Sequence, residues 1–270
     1  MSYVTLKDPL RGRLGNQLFQ VNFAAQIASK LNVPLRLGKT SVNQLCEKSN
    51  YAQGKYAFRS KPNLILNREY FLQSSTEEVI DFCLNAVDSG RNIELPSSML
   101  GEVFFDYLFV DPKSLFTPNR RISLPNDSNF KDYDRIAMHF RGSDFQDWNS
   151  NYVMEYEYYC RVSKELNING TRIDLFTDDP QHSTVIALYR NGIVSRIIHS
   201  RNYFEDFWQL SKYPTLVASP STFPLWSAIL GQTKLLIYDK NWYQNYGVKE
   251  VFWKQFLTCK NLLMPSINAI

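Results

Sequence analysis

No apolar run in the 270-residue chain approaches the roughly 18 residues that cross a bilayer. The opening MSYVTLKDPLRGRL also lacks the apolar stretch of a secretory signal. A cytoplasmic protein without an integral membrane segment is expected, and peripheral contact with a membrane stays open. Cysteine is sparse and scattered: Cys46, Cys83, Cys160 and Cys259 form no C-x-x-C pair, so neither a zinc site nor a disulfide framework is signalled, and reduced, mostly buried thiols are expected. Neither charge dominates. Thirty Lys and Arg against 26 Asp and Glu leave +4, short of the concentrated basic surface of a dedicated nucleic-acid binder but suited to an anionic ligand. G-x-G-x-x-G and the Walker G-x-x-x-x-G-K-[ST] are both missing, which argues against dinucleotide enzymes and P-loop NTPases. Aromatics are plentiful at 14%; cores and sugar-binding clefts both use them, so they decide nothing alone.

What is present has an order. Tyr3–Leu6 is short and β-prone, Arg11–Gly15 is a basic glycine turn, and Asn16–Leu31 has helical periodicity, with Phe19, Phe23 and Ile27 on one face. Asn32 closes that helix and Pro34–Leu37 reads as a second strand, which makes a β-α-β opening. From Cys46 to about Asn129 the pattern weakens, and Thr117–Asp127 (TPNRRISLPND) has a linker's composition. A boundary near residue 125 is expected there, with domains over 1–125 and 126–270. Beyond it, strands at Ile136–Phe140, Ile173–Phe176, Val194–Ile198, Leu216–Ala218 and Lys234–Tyr238 alternate with helices at Tyr152–Leu166, Pro180–Arg190, Tyr203–Lys212 and Phe223–Leu230. That alternation predicts an α/β domain on a parallel sheet.

Ligands of such sheets bind beyond the carboxyl ends of the strands, so the residues after each strand are the candidates. Ile136–Phe140 runs into HFRGSDF with His139, Arg141 and Asp144. The next strand runs into Thr177, Asp178 and Asp179, and the strand at Leu216 into Ser219, Ser221 and Thr222. A guanidinium straight after a strand can reach a diphosphate with two prongs, and Asp144 can orient it; a salt-bridged pair at a domain edge fits the same residues. Ser221 or Thr222 can cap a helix with Pro224 in its first turn, leaving N–H groups and a dipole that favour an anion, although alone this is an ordinary N-cap. His139 taken singly reads as a satisfied core histidine. In RGRLGNQLF, Gly12 and Gly15 permit close backbone approach, Asn16 opens a helix, and Arg11 and Arg13 supply cations. Asp132-Tyr133-Asp134 has the spacing with which metal-dependent sugar transferases hold a divalent ion, but it precedes its strand, so a solvated acidic pair is expected and no metal cluster.

Taken in order, GRLGNQLFQ, HFRGSDF, LFTDDP and EDFWQLSKYPTLVASPSTFPLWSAIL resemble the α-1,2-fucosyltransferases (glycosyltransferase family 11-like) and, more distantly, the α-1,6- and protein O-fucosyltransferases. The resemblance covers both ends of the chain and its second half. It implies a GT-B arrangement of two facing Rossmann-like domains, the first on the acceptor side and the second binding the GDP-sugar, with inversion at the anomeric carbon and no metal or other cofactor. It further implies that Arg141 holds the leaving β-phosphate, that His139 lies near the guanine end, and that Asp206 helps hold guanine. Ser219, Ser221, Thr222 and Phe223 would embrace the diphosphate, Asp178 belongs to the acidic stretch beside it, and Gly12, Gly15, Asn16 and Gln17 would face the sugar. Arg141, Asn16 and Asp144 form the implied catalytic set. Relatives often carry a second arginine where Gly142 stands. No histidine–carboxylate pair declares a base for the acceptor hydroxyl, and Asp144 and Asp147 fit structural roles as well. The expected reaction transfers fucose from GDP-fucose to a glycan hydroxyl, O2 of a galactoside. A transferase of another GDP-sugar or linkage, and a non-catalytic carbohydrate-binding protein, are the alternatives.

Overall fold

The structure is a computed structural model that describes residues 2–7, 10–38, 40–47, 51–53, 63–97, 107–118, 135–150, 153–167, 173–200, 202–239 and 266–269. The chain divides into two compact units, Met1–Arg120 with Val251–Leu263, and Arg121–Glu250 with Met264–Ile270. The boundary expected near residue 125 lies outside the described residues, as do Asp132-Tyr133-Asp134 and Cys259.

The first unit contains, in order, β1 (Val4–Leu6), α1 (Leu14–Lys30), β2 (Leu35–Leu37), α2 (Ser41–Leu45), β3 (Cys46–Glu47), β4 (Tyr51–Gln53), β5 (Asn63–Ile65), α3 (Arg68–Gln73), α4 (Thr76–Asp88), β6 (Asn92–Leu95), α5 (Pro112–Leu115) and β7 (Thr117–Pro118). Its sheet is wholly parallel in the order β4-β2-β1-β6-β5, and β3 pairs antiparallel with β7. The supposed linker therefore begins as a strand. The region from Cys46 onward, unplaced by sequence, supplies three strands of this sheet and α4, which opens on a capping box: Ser75 Oγ accepts from the Glu78 N–H at 3.2 Å and Glu78 Oε2 from the Ser75 N–H at 2.8 Å. Helix α1 is buried on nearly every side, so its amides must be satisfied internally. Gln26 does this by accepting from the N–H groups of Phe109 and Val110 at 2.9 Å each and donating to the Val110 carbonyl at 2.8 Å.

The second unit contains β8 (Ile136–Phe140), α6 (Ser143–Asn149), α7 (Tyr156–Glu165), β9 (Ile173–Thr177), α8 (Ser183–Arg190), β10 (Arg196–Ile198), α9 (Tyr203–Leu210), β11 (Thr215–Val217), α10 (Thr222–Leu230), β12 (Leu235–Tyr238) and β13 (Ser266–Ala269). All its strands are parallel, in the order β10-β9-β8-β11-β12-β13. Numbered within the unit this is 3-2-1-4-5-6, the doubly wound order whose topological switch lies between the first and fourth strands. Strands β8 and β9 are buried at every position, as strands covered on both faces must be. Met138, Phe140, Leu175, Val217 and Ile237 form one core with Tyr159 and Val162 of α7 and Val185 and Leu188 of α8. Two differences from expectation flank the segment after β8. The helix expected from Tyr152 starts at Tyr156, and α6 occupies residues right after Arg141, where no helix is expected. Its sequence, SDFQDWN, lacks the apolar periodicity that would declare it.

Candidate functional site at the switch point of the second unit

The register sets the site. Because β8 pairs in parallel with β9 on one side and β11 on the other, the segments after Phe140, Thr177 and Val217 leave the sheet side by side. Chains on either side of a switch point turn to opposite faces, which opens a crevice there. His139 and Ser219 span it, with His139 Nδ1 2.7 Å from Ser219 Oγ and both residues buried. Phe223 lies over the imidazole at 5.5 Å between ring centroids, and Phe207 meets Phe223 edge-on at 5.3 Å. Burial pushes the His139 pKa down to about 3; Asp178 opposes the shift and Arg141 adds to it. The imidazole is therefore neutral at physiological pH and acts through hydrogen bonding.

Arg141 follows β8 directly and carries two ion pairs. One nitrogen of its fork is 2.6 Å from Asp144 Oδ1 and the other 2.8 Å from Asp178 Oδ2. Burial raises the Asp178 carboxyl, but Arg141, the Gly142 N–H, the Ser143 hydroxyl and His139 together hold it below the usual carboxylate range. The Gly142 N–H donates to Asp178 Oδ1 at 2.9 Å and Ser143 Oγ to Asp178 Oδ2 at 2.5 Å. Gly142 has no room for a side chain, since a Cβ there would come within 2.8 Å of Asp179 Cβ and 2.9 Å of Phe140 Cε1. That packing accounts for glycine in this turn. Beyond β11, Ser221 caps α10 by accepting from the Phe223 N–H at 3.3 Å, and the first turn of α10 contains no acidic residue. Thr222 is the first residue of that helix.

Asp206 lies one residue before Phe207 on α9. Its Oδ2 accepts from the Ser200 N–H at 3.3 Å, while Oδ1 is buried without a hydrogen-bond partner. Burial raises its pKa above the usual carboxylate value, with the Ser200 hydrogen bonds and His199 pulling it back and Glu205 adding to the rise. A desolvated acceptor with a vacant lone pair is costly unless a donor fills it.

Direct contacts thus join His139, Ser219 and Phe223 in one group and Arg141, Asp144 and Asp178 in another, the charges of Asp178 and Arg141 act on His139, and Asp206 precedes Phe207 of the ring pair. Asp147 is exposed on α6. Gly15 and Asn16 belong to the first unit, at the start of α1 beyond the carboxyl end of β1. There Gly12 has φ +73°, a left-handed turn in which a Cβ would run into the Asn16 side chain. Gln17 Nε2 holds the Gly12 carbonyl at 3.0 Å, and Gln20 clamps Arg11 through both its N–H, at 3.0 Å, and its carbonyl, at 2.7 Å. Among the described residues no group of His, Cys, Asp and Glu is arranged to hold a metal ion, and no helix is long and apolar enough to cross a membrane.

No protein-family model matches the chain, and no curated protein matches it. Among solved structures it is similar to the fucosyltransferase NodZ from Bradyrhizobium, at 12% identity and a TM-score of 0.49 over 85% of this chain and 93% of that one. It is also similar to NodZ alpha-1,6-fucosyltransferase soaked with GDP-fucose, at 12% identity and a TM-score of 0.48 over 85% of this chain and 92% of that one.

Sequence reasoning did not find the supporting residues. Tyr158 and Tyr159 of α7 donate to the carbonyls of Ala218 at 3.2 Å and His139 at 2.8 Å, bracing the two strand ends that flank the crevice. Ser143 and Gly142 serve Asp178. A glycine two residues beyond a buried strand was the available signal for such a close approach.

Proposed function

We propose that the chain is a glycosyltransferase that takes fucose from GDP-fucose and places it on a glycan hydroxyl, O2 of a galactoside, with inversion at C1 and without a metal ion. The observation that carries the reading is Arg141 at the switch point, two residues after neutral His139, whose ring meets Ser219 and Phe223 at the acid-free N-terminus of α10. Together these form an anion site where the leaving diphosphate of a sugar nucleotide would sit. Asp206 supports guanine as the base, because its vacant, desolvated Oδ1 calls for a donor and guanine presents two adjacent N–H groups on one edge. In the reaction an acceptor hydroxyl attacks C1 from the face opposite GDP. The C1–O bond breaks, its electron pair passes to the β-phosphate, the acceptor hydroxyl gives its proton to a general base, and Arg141 with the dipole of α10 stabilises the growing charge on the diphosphate. The motif resemblance to α-1,2-fucosyltransferases supports the linkage and the sugar.

Incubation with a panel of GDP- and UDP-sugars, following released nucleotide, tests the donor. Release of GDP from GDP-fucose in the presence of a galactoside is expected, together with tighter calorimetric binding of GDP than of UDP or ADP. Equal or tighter binding of UDP overturns the donor assignment.

A further inference from the structure

Helix α9 carries a row of side chains whose burial changes along it. Tyr203, Asp206 and Phe207 stand at i, i+3 and i+4 and so share one side of the helix. Phe207 is fully buried and meets Phe223, at the start of α10, edge-on at 5.3 Å, which ties this side of α9 to the crevice at the switch point. Asp206 comes next, 9% exposed, with Oδ1 lacking a hydrogen-bond partner. Tyr203 ends the row at 47% exposed. Its ring centroid lies 4.2 Å from that of Phe204, at 39° between planes, and Phe204 is itself buried. A solvent-facing ring is thus braced by a fixed neighbour. Single exposed aromatics are ordinary on protein surfaces, but this one stands one helical turn from a desolvated acceptor with an open lone pair, at the ~5–6 Å that separates such neighbours. A ligand that satisfies both is flat and carries N–H donors on its rim, which describes a nucleobase.

We propose that Tyr203 is the stacking platform for the base of the sugar nucleotide. The inference rests on the donor-site reading above and divides the work of base recognition between two residues on one helix. Stacking tolerates any base, because every base has a π-face, so Tyr203 sets how tightly a base is held. Asp206 accepts only from N–H groups on the base edge, so it sets which base is preferred. Phe204 reduces the rotamer freedom that Tyr203 has left to lose when the base arrives.

Calorimetry on the full chain with GDP, IDP and inorganic pyrophosphate, using wild type, Tyr203→Phe and Tyr203→Ala, reads the contributions apart. IDP lacks the 2-amino group of guanine, and pyrophosphate lacks the base altogether. Tyr203→Ala is expected to bind GDP and IDP more weakly by the same factor, about 5- to 150-fold, the range for loss of one base–aromatic stack. Its binding of pyrophosphate is expected to match wild type. Tyr203→Phe keeps the ring and is expected to bind all three ligands as wild type does. In turnover, the donor KM of Tyr203→Ala should rise with kcat nearly unchanged, since a stack far from C1 holds ground state and transition state alike. Tyr203→Ala that binds GDP as tightly as wild type overturns the platform and leaves the donor site standing. An equal loss of GDP and pyrophosphate, or a melting temperature lowered by many degrees, would make Tyr203 a packing residue and overturns it too. If wild type binds neither GDP nor IDP, the platform and the donor site fall together.

Discussion

Arg141 is where a structural and a functional account of the same side chain diverge. As the partner of Asp144 and Asp178 it contributes to folding, and in the proposed reaction it contributes to the transition state as the cation at the diphosphate. Arg141→Ala removes both roles, leaving Asp178 partly desolvated with only two donors. A lower melting temperature is therefore expected together with a ~100- to 1000-fold loss in rate, the typical cost of removing one preorganised donor. Arg141→Lys separates the two roles. It retains the charge but loses the planar fork, so it should recover most of the stability and only part of the rate, with kcat falling along with kcat/KM. A well-folded Arg141→Ala protein with wild-type kcat would confine Arg141 to structure. His139 yields a prediction of another kind. Its pKa falls from 6.5 to about 3 on burial, so between those values the unfolded chain binds a proton that the folded chain refuses. Stability from this group is complete above pH 6.5 and declines as pH drops, by at most ~1.4 kcal/mol per unit. Denaturant midpoints at pH 7, 6 and 5 should fall more steeply for wild type than for His139→Asn, whose amide can still reach Ser219. Asp206, with its raised pKa, pulls in the opposite direction but is common to both proteins and cancels in the comparison. Equal slopes would mean that His139 charges in the folded state.

At the level of elements, legibility followed the strength of the local signal. Strands β8 and β9 are short runs of apolar residues buried at every position, and sequence placed both within one residue. Helix α10 announced itself through Ser221 and Pro224, and the cap is where expected. Edge and partly exposed elements were placed less well. Strand β10 begins at Arg196, two residues after the expected Val194, because Val194 and Ser195 lead into the sheet through the Ser195 N–H on the Ile173 carbonyl before the ladder starts. Helix α4 was missed although Ser75 and Glu78 spell a capping box, and β5 and β6 at three and four residues are too short for periodicity to declare. Helix α6 was missed for a different reason. It exists because Gly142 packs against Asp179 and Phe140 and sends the chain sharply away from β8, a tertiary cause that a single sequence window does not contain. The site was more legible than these elements because its residues follow strand ends, and parallel pairing brings strand ends together whatever the helices between them do.

For the whole molecule, strand order converts scattered motifs into one place. His139 and Ser219 are 80 positions apart, yet β8 and β11 are neighbours and their side chains lie 2.7 Å from each other. The same order determines where positive charge can come from. The carboxyl rim of the second unit brings together the Arg141 guanidinium and the start of α10, where the helix dipole adds about half a unit of positive charge. In the proposed reaction these take the part a divalent ion plays in metal-dependent transfer of sugars and balance the departing diphosphate. Turnover of GDP-fucose is accordingly expected to be unchanged in excess EDTA. The measurement is the rate of GDP release before and after chelation, then after adding back Mn²⁺ or Mg²⁺. A loss in EDTA that either ion restores would show that the charge of Arg141 and α10 is insufficient, and would direct attention to Asp132-Tyr133-Asp134 as a ligand pair.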